Sequence, residues 1–264
     1  MTLARRSRLA VALVALVSCK RAEPARATLT VFAAASLREA FTSAAREFER
    51  QNPSVSVTFS FAGSQELVTQ IEHGARADVV ACADLRTMQS LVSSQRVRAP
   101  AVFARNELVV VVANEGRALV RSFRDLPNAT RVVIGAPEVP VGRYTQQVLD
   151  RASAQYGQEF RSRFDARVVS RELNVRQVLA KLTMGEAQAA IVYRTDAIAA
   201  GAQVAVVEIP AEFNVVGDYP IAVVTSSSAG AQAQRWVDFV RLGDGQRALR
   251  ASGFLAPTGA EPAP

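Results

Sequence analysis

The sequence predicts an α/β fold of two lobes that are joined by two crossing strands. Short β-rich runs alternate with stretches of helical periodicity from Thr28 onward, and this pattern restarts after Arg105. Two apolar runs, at residues 107–113 and 218–225, are long enough to pass from one lobe to the other. The alternation indicates parallel strands that are covered by helices on both faces. The same order also fits a single doubly wound domain with an inserted segment.

The first set of elements occupies residues 28–81. Its helices carry apolar stripes, and they are ended by Asn52-Pro53 and by Gly74. The predicted elements are a strand at 28–33, a helix over 37–48, a strand at 55–61, a helix around 67–71 and a strand at 79–81.

The second set begins with the long run at 107–113. The predicted elements are then a strand at 131–136, a helix over 143–154, a strand at 166–169, a helix over 175–184, a strand at 189–193, the long strand at 218–225 and a helix around 236–240. We therefore expect lobe 1 at residues 28–107 plus 221–257 and lobe 2 at residues 108–220. The Pro- and Ala-rich tail at 258–264 is expected to be disordered.

The first 27 residues indicate export and anchoring. Three arginines precede the apolar residues 9–17, which are too few to span a bilayer but are typical of a signal peptide. Leu16-Val17-Ser18-Cys19 resembles a bacterial lipobox, in which the cysteine is acylated after cleavage. We expect a signal peptide at 1–18, a lipid on Cys19, a tether at 19–27 and a location on the periplasmic side of the membrane. The alternative is an ordinary secretory signal that is cut near Ala25 or Ala27.

Charge and reactive side chains argue against several classes of function. The formal net charge is +7, but the arginines are interleaved with acidic residues, so no nucleic-acid partner is expected. The one histidine, His73, lies at a predicted helix end, and Cys82 lies in an apolar run. No nucleophile elbow, phosphate loop or Cys/His metal spacing occurs. The chain is therefore predicted to be no enzyme and to need no cofactor.

Small polar residues recur where predicted helices follow strands. The four junctions are residues 33–37, 61–67, 139–144 and 172–176. Helix N-termini expose unpaired N–H groups and the positive end of the helix dipole, so they attract anions. Each junction also has a plain structural interpretation. Ser36 with Glu39 forms a capping-box pattern, and Asn174 is an ordinary N-cap residue.

Six segments, in order along the chain, resemble the motif set of molybdate-binding proteins. They are Val31–Leu37, Phe61–Ser64, Ala77–Val79, Val139–Tyr144, Asn174–Arg176 and Ile191–Asp196. The resemblance covers roughly residues 28–257. It implies a periplasmic-binding-protein fold of type II, with molybdate or tungstate held in the cleft between the lobes. It further implies a monomer that delivers the oxyanion to the membrane permease of an ABC importer.

The resemblance also implies which residues contact the oxyanion. Ser36 and Ser64 would each contribute a hydroxyl and a backbone N–H, Val141 and Val175 a backbone N–H, and Tyr193 its phenolic hydroxyl. All seven groups are donors, which favours an anion that is fully deprotonated at neutral pH.

Two departures from the family and several alternatives bear on the ligand. Glu66 would repel a dianion if it faced the cleft, so we expect it to point outward, and Val141 is larger than the alanine common there. A receptor for sulfate or another tetrahedral oxyanion is the main alternative. A two-lobe enzyme and a sensory ligand-binding domain are further ones.

Overall fold

The computed structural model describes residues 26–258, so the predicted signal peptide, Cys19 and nearly all of the tail lie outside the described part. The helices and strands, in chain order, are β1 (Ala27–Ala34), α1 (Arg38–Gln51), β2 (Val55–Ala62), α2 (Ser64–Glu72), β3 (Val79–Ala81), α3 (Leu85–Ser93), β4 (Val97–Val112), β5 (Val132–Gly135), α4 (Pro140–Tyr156), α5 (Gln158–Asp165), β6 (Val168–Glu172), α6 (Val175–Thr183), β7 (Ala189–Tyr193), α7 (Arg194–Ala200), β8 (Ala205–Val207), β9 (Val216–Val224), α8 (Gly230–Leu242) and α9 (Gly245–Ala251). Short 3₁₀ turns lie between them, and one of these, Ala35–Leu37, joins β1 to α1.

The strands form one connected sheet in the order β2-β1-β3-β9-β4-β7-β5-β6, with β8 beside β4. β1 is parallel to β2 and β3, and β5 is parallel to β6 and β7, as the alternation of strands and helices predicts. β9 is antiparallel to both β3 and β4. The prediction of an α/β fold with two lobes is confirmed.

β4 joins the two halves of the sheet because it changes neighbours along its length. Residues 97–107 pair with β9, whereas residues 108–112 pair with β7 and residues 110–112 pair also with β8. Leu108–Val112 are fully buried, which explains their uninterrupted apolar run. Lobe 1 here denotes the elements from β1 to α3 together with β9, α8 and α9, and lobe 2 the elements from β5 to β8. The residue boundaries predicted for the lobes stay a prediction.

β4 begins ten residues earlier than the strand predicted at 107–113. Residues 97–106 contain two arginines and Pro100, a pattern that is typical of a loop. The pairing with β9 shifts register between Arg98 and Ala101, and Ala99 has a φ of 40°. A β-bulge at this point accommodates the proline, which cannot donate a ladder hydrogen bond.

Other predicted bounds differ from the structure by a few residues, and the prediction lacks the strand β8 and four helices, α3, α5, α7 and α9. α3 buries only Thr87, Met88 and Leu91, and α5 buries only Phe160 and Phe164. Such short buried faces give little periodic signal.

Aromatic packing in lobe 1 holds the helices that lead to the cleft. The indole of Trp236 on α8 is fully buried, and the rings of Phe41 and Phe48 on α1 meet it edge-on at 5.5 Å and 5.3 Å between centroids. Edge-to-face pairs add about 0.5–1.5 kcal/mol to the burial of the rings. The apolar stripe predicted for residues 37–48 is buried throughout. The start of α1 is thereby fixed on the sheet.

Candidate functional site

A small cavity lies between the lobes, at the carboxyl ends of β1, β2, β5 and β7. The cavity has a volume of about 20 Å³, which suits a ligand of a few atoms. The lining residues are Ala34, Ala35, Ser36, Ala62, Gly63, Ser64, Ala83, Val139, Pro140, Val141, Asn174, Val175 and Tyr193. None of these lining residues, all of which lie within residues 26–258, has a charged side chain.

The structure brings all five residues of the predicted site to this cavity. Ser64 is the first residue of α2, Val141 the second of α4 and Val175 the first of α6, whereas Ser36 lies in the turn before α1 and Tyr193 directly before α7. The first N–H groups of a helix have no partner within the helix and lie at the positive end of its dipole. Both lobes therefore contribute residues at or next to helix starts to the lining of the cavity.

Ser36 is buried, and its hydroxyl oxygen lies 3.0 Å from the hydroxyl oxygen of Tyr219 on β9. The capping-box interpretation of Ser36 and Glu39 is wrong. α1 begins at Arg38 after an N-cap residue, Leu37, that makes no side-chain cap hydrogen bond. Ser36 lies within the 3₁₀ turn, where its hydroxyl points to the core and the cavity. Asn174, in contrast, caps α6 as predicted, because its Oδ1 accepts from the Gln177 N–H at 3.0 Å.

The Ser64 hydroxyl is held from one side by the backbone of the segment after β3. Its Oγ accepts a hydrogen bond of 3.0 Å from the Ala83 N–H, and the side chain is almost fully buried. The residue next but one, Glu66, is exposed to solvent, as expected from its position on the first turn of α2. Its carboxylate therefore does not face the cavity.

Tyr193 presents a buried hydroxyl to the cavity. The residue is 2% exposed, and its oxygen has no hydrogen-bond partner among residues 26–258. Burial raises the pKa of Tyr193 well above its ordinary value, so the phenol keeps its proton. Buried polar atoms are almost always paired in folded proteins. A donor that lacks a protein partner and lines a cavity is suited to a ligand.

Two glycines allow the close approach of backbone around the cavity. A Cβ on Gly142 would lie 1.9 Å from the Ala136 carbonyl oxygen, so only glycine lets the first turn of α4 pack directly on the end of β5. A Cβ on Gly63 in lobe 1 would lie 2.5 Å from the carbonyl oxygen of Leu173 in lobe 2. The lobes thus meet in backbone contact beside the site.

An ion pair that the sequence did not indicate bridges the lobes on one side of the cavity. The Arg143 guanidinium on α4 bonds the Asp84 carboxylate, with Nε to Oδ2 at 3.0 Å, and also donates to Thr87 Oγ1 at 2.7 Å. Asp84 in turn caps α3 by accepting from the Thr87 N–H at 2.8 Å. Both charged side chains are largely buried. The only sequence signal for this pair is the Asp before α3, a common N-cap residue.

A second group of charges bridges the lobes on the α6 side. Arg176, next to Val175, pairs with Glu39 on α1. Its Nε also lies 3.1 Å from Oδ1 of the fully buried Asp196, at an angle that does not make a hydrogen bond. Burial raises the pKa of Asp196 to about 7, although the guanidinium opposes this shift. Each bridge lies within three residues of a predicted ligand donor.

The remaining reactive side chains lie away from the cavity lining. Cys82 is fully buried, and burial raises the pKa of its thiol, so it stays protonated. His73 is exposed at the end of α2, with Nδ1 at 2.8 Å from the Thr69 carbonyl oxygen. Residues 26–258 contain no group of three or more metal-ligating side chains. Within the same residues no helix has the length and hydrophobicity to span a bilayer.

Comparison with known proteins gives a family and several relatives. The model of the bacterial extracellular solute-binding proteins matches residues 29–255. The molybdate-binding protein ModA of Mycobacterium tuberculosis is 37% identical over 259 residues, which cover 94% of this chain and 95% of that protein. A putative ABC transporter substrate-binding lipoprotein of Bacillus subtilis is 26% identical and covers 88% of this chain and 87% of its own length.

Among solved structures, the sulfate-binding protein SubI of Mycobacterium tuberculosis superimposes with a TM-score of 0.78 at 20% identity. The alignment covers 89% of this chain and 88% of that one. At this level of identity the likeness shows a common fold.

Proposed function

We propose that this chain, which belongs to the family of bacterial extracellular solute-binding proteins, captures molybdate or tungstate and delivers it to an ABC importer. One observation carries the choice of ligand. Five residues at helix starts on both lobes converge on a small cavity that no charged side chain lines. The 37% identity to a molybdate-binding protein over nearly the whole chain supports the same ligand.

The proposed contacts suffice for tight binding without a charged side chain. Ser36 and Ser64 would each contribute a hydroxyl and an N–H, Val141 and Val175 an N–H each, and Tyr193 its hydroxyl. Hydrogen bonds to charged groups contribute about 1.5–3 kcal/mol each, so seven give roughly 10–20 kcal/mol before ordering and desolvation. A net value of about −8 to −12 kcal/mol corresponds to micromolar to nanomolar affinity.

Charge and size would separate the tetrahedral oxyanions. Phosphate retains a proton near neutral pH, and a cavity that offers only donors places that proton against another hydrogen. Sulfate is fully deprotonated but smaller than molybdate, so it reaches donors from both lobes less well. A sulfate receptor is the second candidate, because sulfate is also fully deprotonated and the absence of charged side chains from the cavity lining within residues 26–258 suits it equally.

The other parts of the proposal concern the membrane. We infer that Cys19 carries a lipid, that the protein acts as a monomer on the periplasmic side and that a membrane permease is its partner. The B. subtilis relative described as a lipoprotein supports the anchor. The oxyanion is cargo, and we propose neither a cofactor nor turnover.

Calorimetric titration of ligand-stripped protein with molybdate, tungstate, sulfate and phosphate tests the assignment. We expect tight stoichiometric binding of molybdate and tungstate, much weaker binding of sulfate and no measurable binding of phosphate. Equal affinity for sulfate would select the second candidate. Preferred binding of phosphate would contradict the donor-only site.

A further inference from the structure

A chain of buried hydrogen bonds links the cavity to β4 and β9. Ser36 Oγ lies 3.0 Å from Tyr219 Oη, and Tyr219 Oη lies 3.5 Å from Asn106 Nδ2. The same amide nitrogen donates to Thr195 Oγ1 at 2.9 Å. All four side chains are buried, and Tyr219 and Asn106 are fully so. This series of hydrogen bonds therefore connects lobe 1, both long strands and lobe 2.

The direction of these hydrogen bonds follows from the donors available. The Glu107 N–H donates to Asn106 Oδ1 at 3.1 Å, which assigns the other end of the amide, Nδ2, to Tyr219. An amide nitrogen only donates, so Tyr219 Oη accepts from it. Tyr219 has one proton, and burial raises its pKa so that the proton stays in place. Among residues 26–258, Tyr219 Oη has hydrogen-bond partners in Asn106 Nδ2, which cannot accept, and in Ser36 Oγ. The buried Tyr219 proton is therefore paired only if Tyr219 donates to Ser36 Oγ.

The Ser36 hydroxyl is consequently oriented by its neighbour. Because Ser36 Oγ accepts from Tyr219, its own O–H remains free to point into the cavity. Ser64 is set in the same way, since its Oγ accepts from the Ala83 N–H. A serine hydroxyl can otherwise act as donor or acceptor. In this protein each serine oxygen already accepts a hydrogen bond from a neighbour, so each hydroxyl faces the cavity as a donor.

We propose that Tyr219 and Asn106 are positioning residues that hold the Ser36 hydroxyl as a donor and thereby exclude oxyanions that retain a proton. This inference rests on the proposed function, because it concerns selection at the same cavity. Without Tyr219, the Ser36 hydroxyl could turn and accept a proton from hydrogen phosphate. Selectivity would then fall although every group that contacts the ligand is intact.

Competition against bound molybdate tests the inference, with sulfate and phosphate as probes at concentrations high enough to reveal binding that is too weak for direct titration. In Tyr219→Phe we expect the affinity for phosphate relative to sulfate to rise about tenfold, the change given by removing one unmatched polar contact. Tyr156→Phe is the matched control, because Tyr156 packs against Phe160 and Phe213 in lobe 2 and does not line the cavity. It should leave the ratio unchanged.

A double-mutant cycle separates positioning from a structural role. In a Ser36→Ala background, Tyr219→Phe should leave the phosphate-to-sulfate ratio where Ser36→Ala alone has put it.

Asn106→Asp serves as a second variant if Tyr219→Phe does not fold. The carboxylate that it introduces accepts a hydrogen bond from Tyr219, so Ser36 must donate to Tyr219. The affinity for phosphate relative to sulfate should then rise, as in Tyr219→Phe. An unchanged ratio in a folded variant that binds molybdate overturns the inference, as does a shift that persists without Ser36. If wild-type protein binds no molybdate, the proposed function itself is overturned.

Discussion

At the scale of single residues, substitution of Tyr193 should change ligand affinity and the stability of the ligand-free protein in opposite directions. Its hydroxyl is buried without a partner among residues 26–258, so the folded protein without ligand gains nothing from it. Tyr193→Phe should keep or raise the stability of the ligand-free protein, by about 1 kcal/mol, because an unpaired buried hydroxyl is removed. The same change should weaken molybdate binding by about 1.5–3 kcal/mol, tenfold or more.

Thermal unfolding without ligand and calorimetry with molybdate check the two halves of this prediction. Tyr156→Phe is again the control, and both quantities should stay near wild type in it. A Tyr193→Phe protein that binds molybdate with full affinity would remove Tyr193 from the site.

The residues that contact the cavity could be predicted from sequence, but the residues that orient them could not. Four of the five lie at strand-to-helix junctions that are visible in the chain, whereas Tyr193 lies at none of these junctions and follows only from the resemblance to molybdate-binding proteins. Tyr219 meets Ser36 from 183 positions away, and Arg143 meets Asp84 from 59. Such pairs depend on how strands and lobes come together, and no local periodicity records that.

At the scale of helices, the Asp84–Arg143 pair links the start of α3 to the start of α4 across the cleft. Arg143→Met leaves the mostly buried Asp84 carboxylate without its charge partner, which is costly only when the lobes are closed. Closure should become less favourable, and molybdate affinity should fall roughly tenfold or more through faster release. Stopped-flow dissociation measures this directly.

Arg131→Met is the control for that change. Arg131 pairs with Glu115, both are well exposed, and both belong to the part of the chain that leads into lobe 2. Exposed pairs contribute little, so release should stay at the wild-type rate. Unaltered release in Arg143→Met would mean that the pair does not stabilise closure.

The stability of the folded protein should depend on pH through Asp196 on α7. Its pKa is raised to about 7 in the folded protein by burial, so the folded state binds a proton that the unfolded state has released. Stability is therefore expected to fall as the pH rises from the ordinary pKa of an aspartate to about 7, and to show no further loss from this group above that.

Asp196→Asn should remove this dependence, since the amide does not ionise. Urea unfolding over that pH window should show that the free energy of unfolding of Asp196→Asn rises relative to that of wild type as the pH rises. Asp238→Asn, a change at an exposed position, should show no such relative rise. Parallel curves for wild type and Asp196→Asn would mean that Arg176 keeps the carboxylate ionised throughout.

At the scale of the whole molecule, the described part of the chain begins at the end of β1 that is remote from the cavity. The strand begins at Ala27 and reaches the cavity at Ala34, about 23 Å away at the usual rise of a strand. A lipid on Cys19 would therefore hold lobe 1 from the end remote from the cleft. Cys19→Ala should move the protein to the soluble fraction without changing its affinity for molybdate, as fractionation and calorimetry would show. Retention in the membrane fraction would contradict the anchor.

Closure of the two lobes is the whole-molecule event on which capture depends, and Gly63 tests it. Its φ of −62° and ψ of 140° suit any residue, so alanine is not excluded by the backbone of lobe 1. The obstacle is the Leu173 carbonyl oxygen of lobe 2, which a Cβ would approach to 2.5 Å, together with the side chain of Gln65. Gly63→Ala should thus fold as stably as wild type but close incompletely. We expect roughly tenfold weaker molybdate binding, and small-angle scattering at saturating molybdate should give a larger radius of gyration than wild type. Gly230→Ala, where a Cβ meets nothing within 4 Å, should match wild type in both. Wild-type compaction in Gly63→Ala would mean that the lobes can close without this backbone contact.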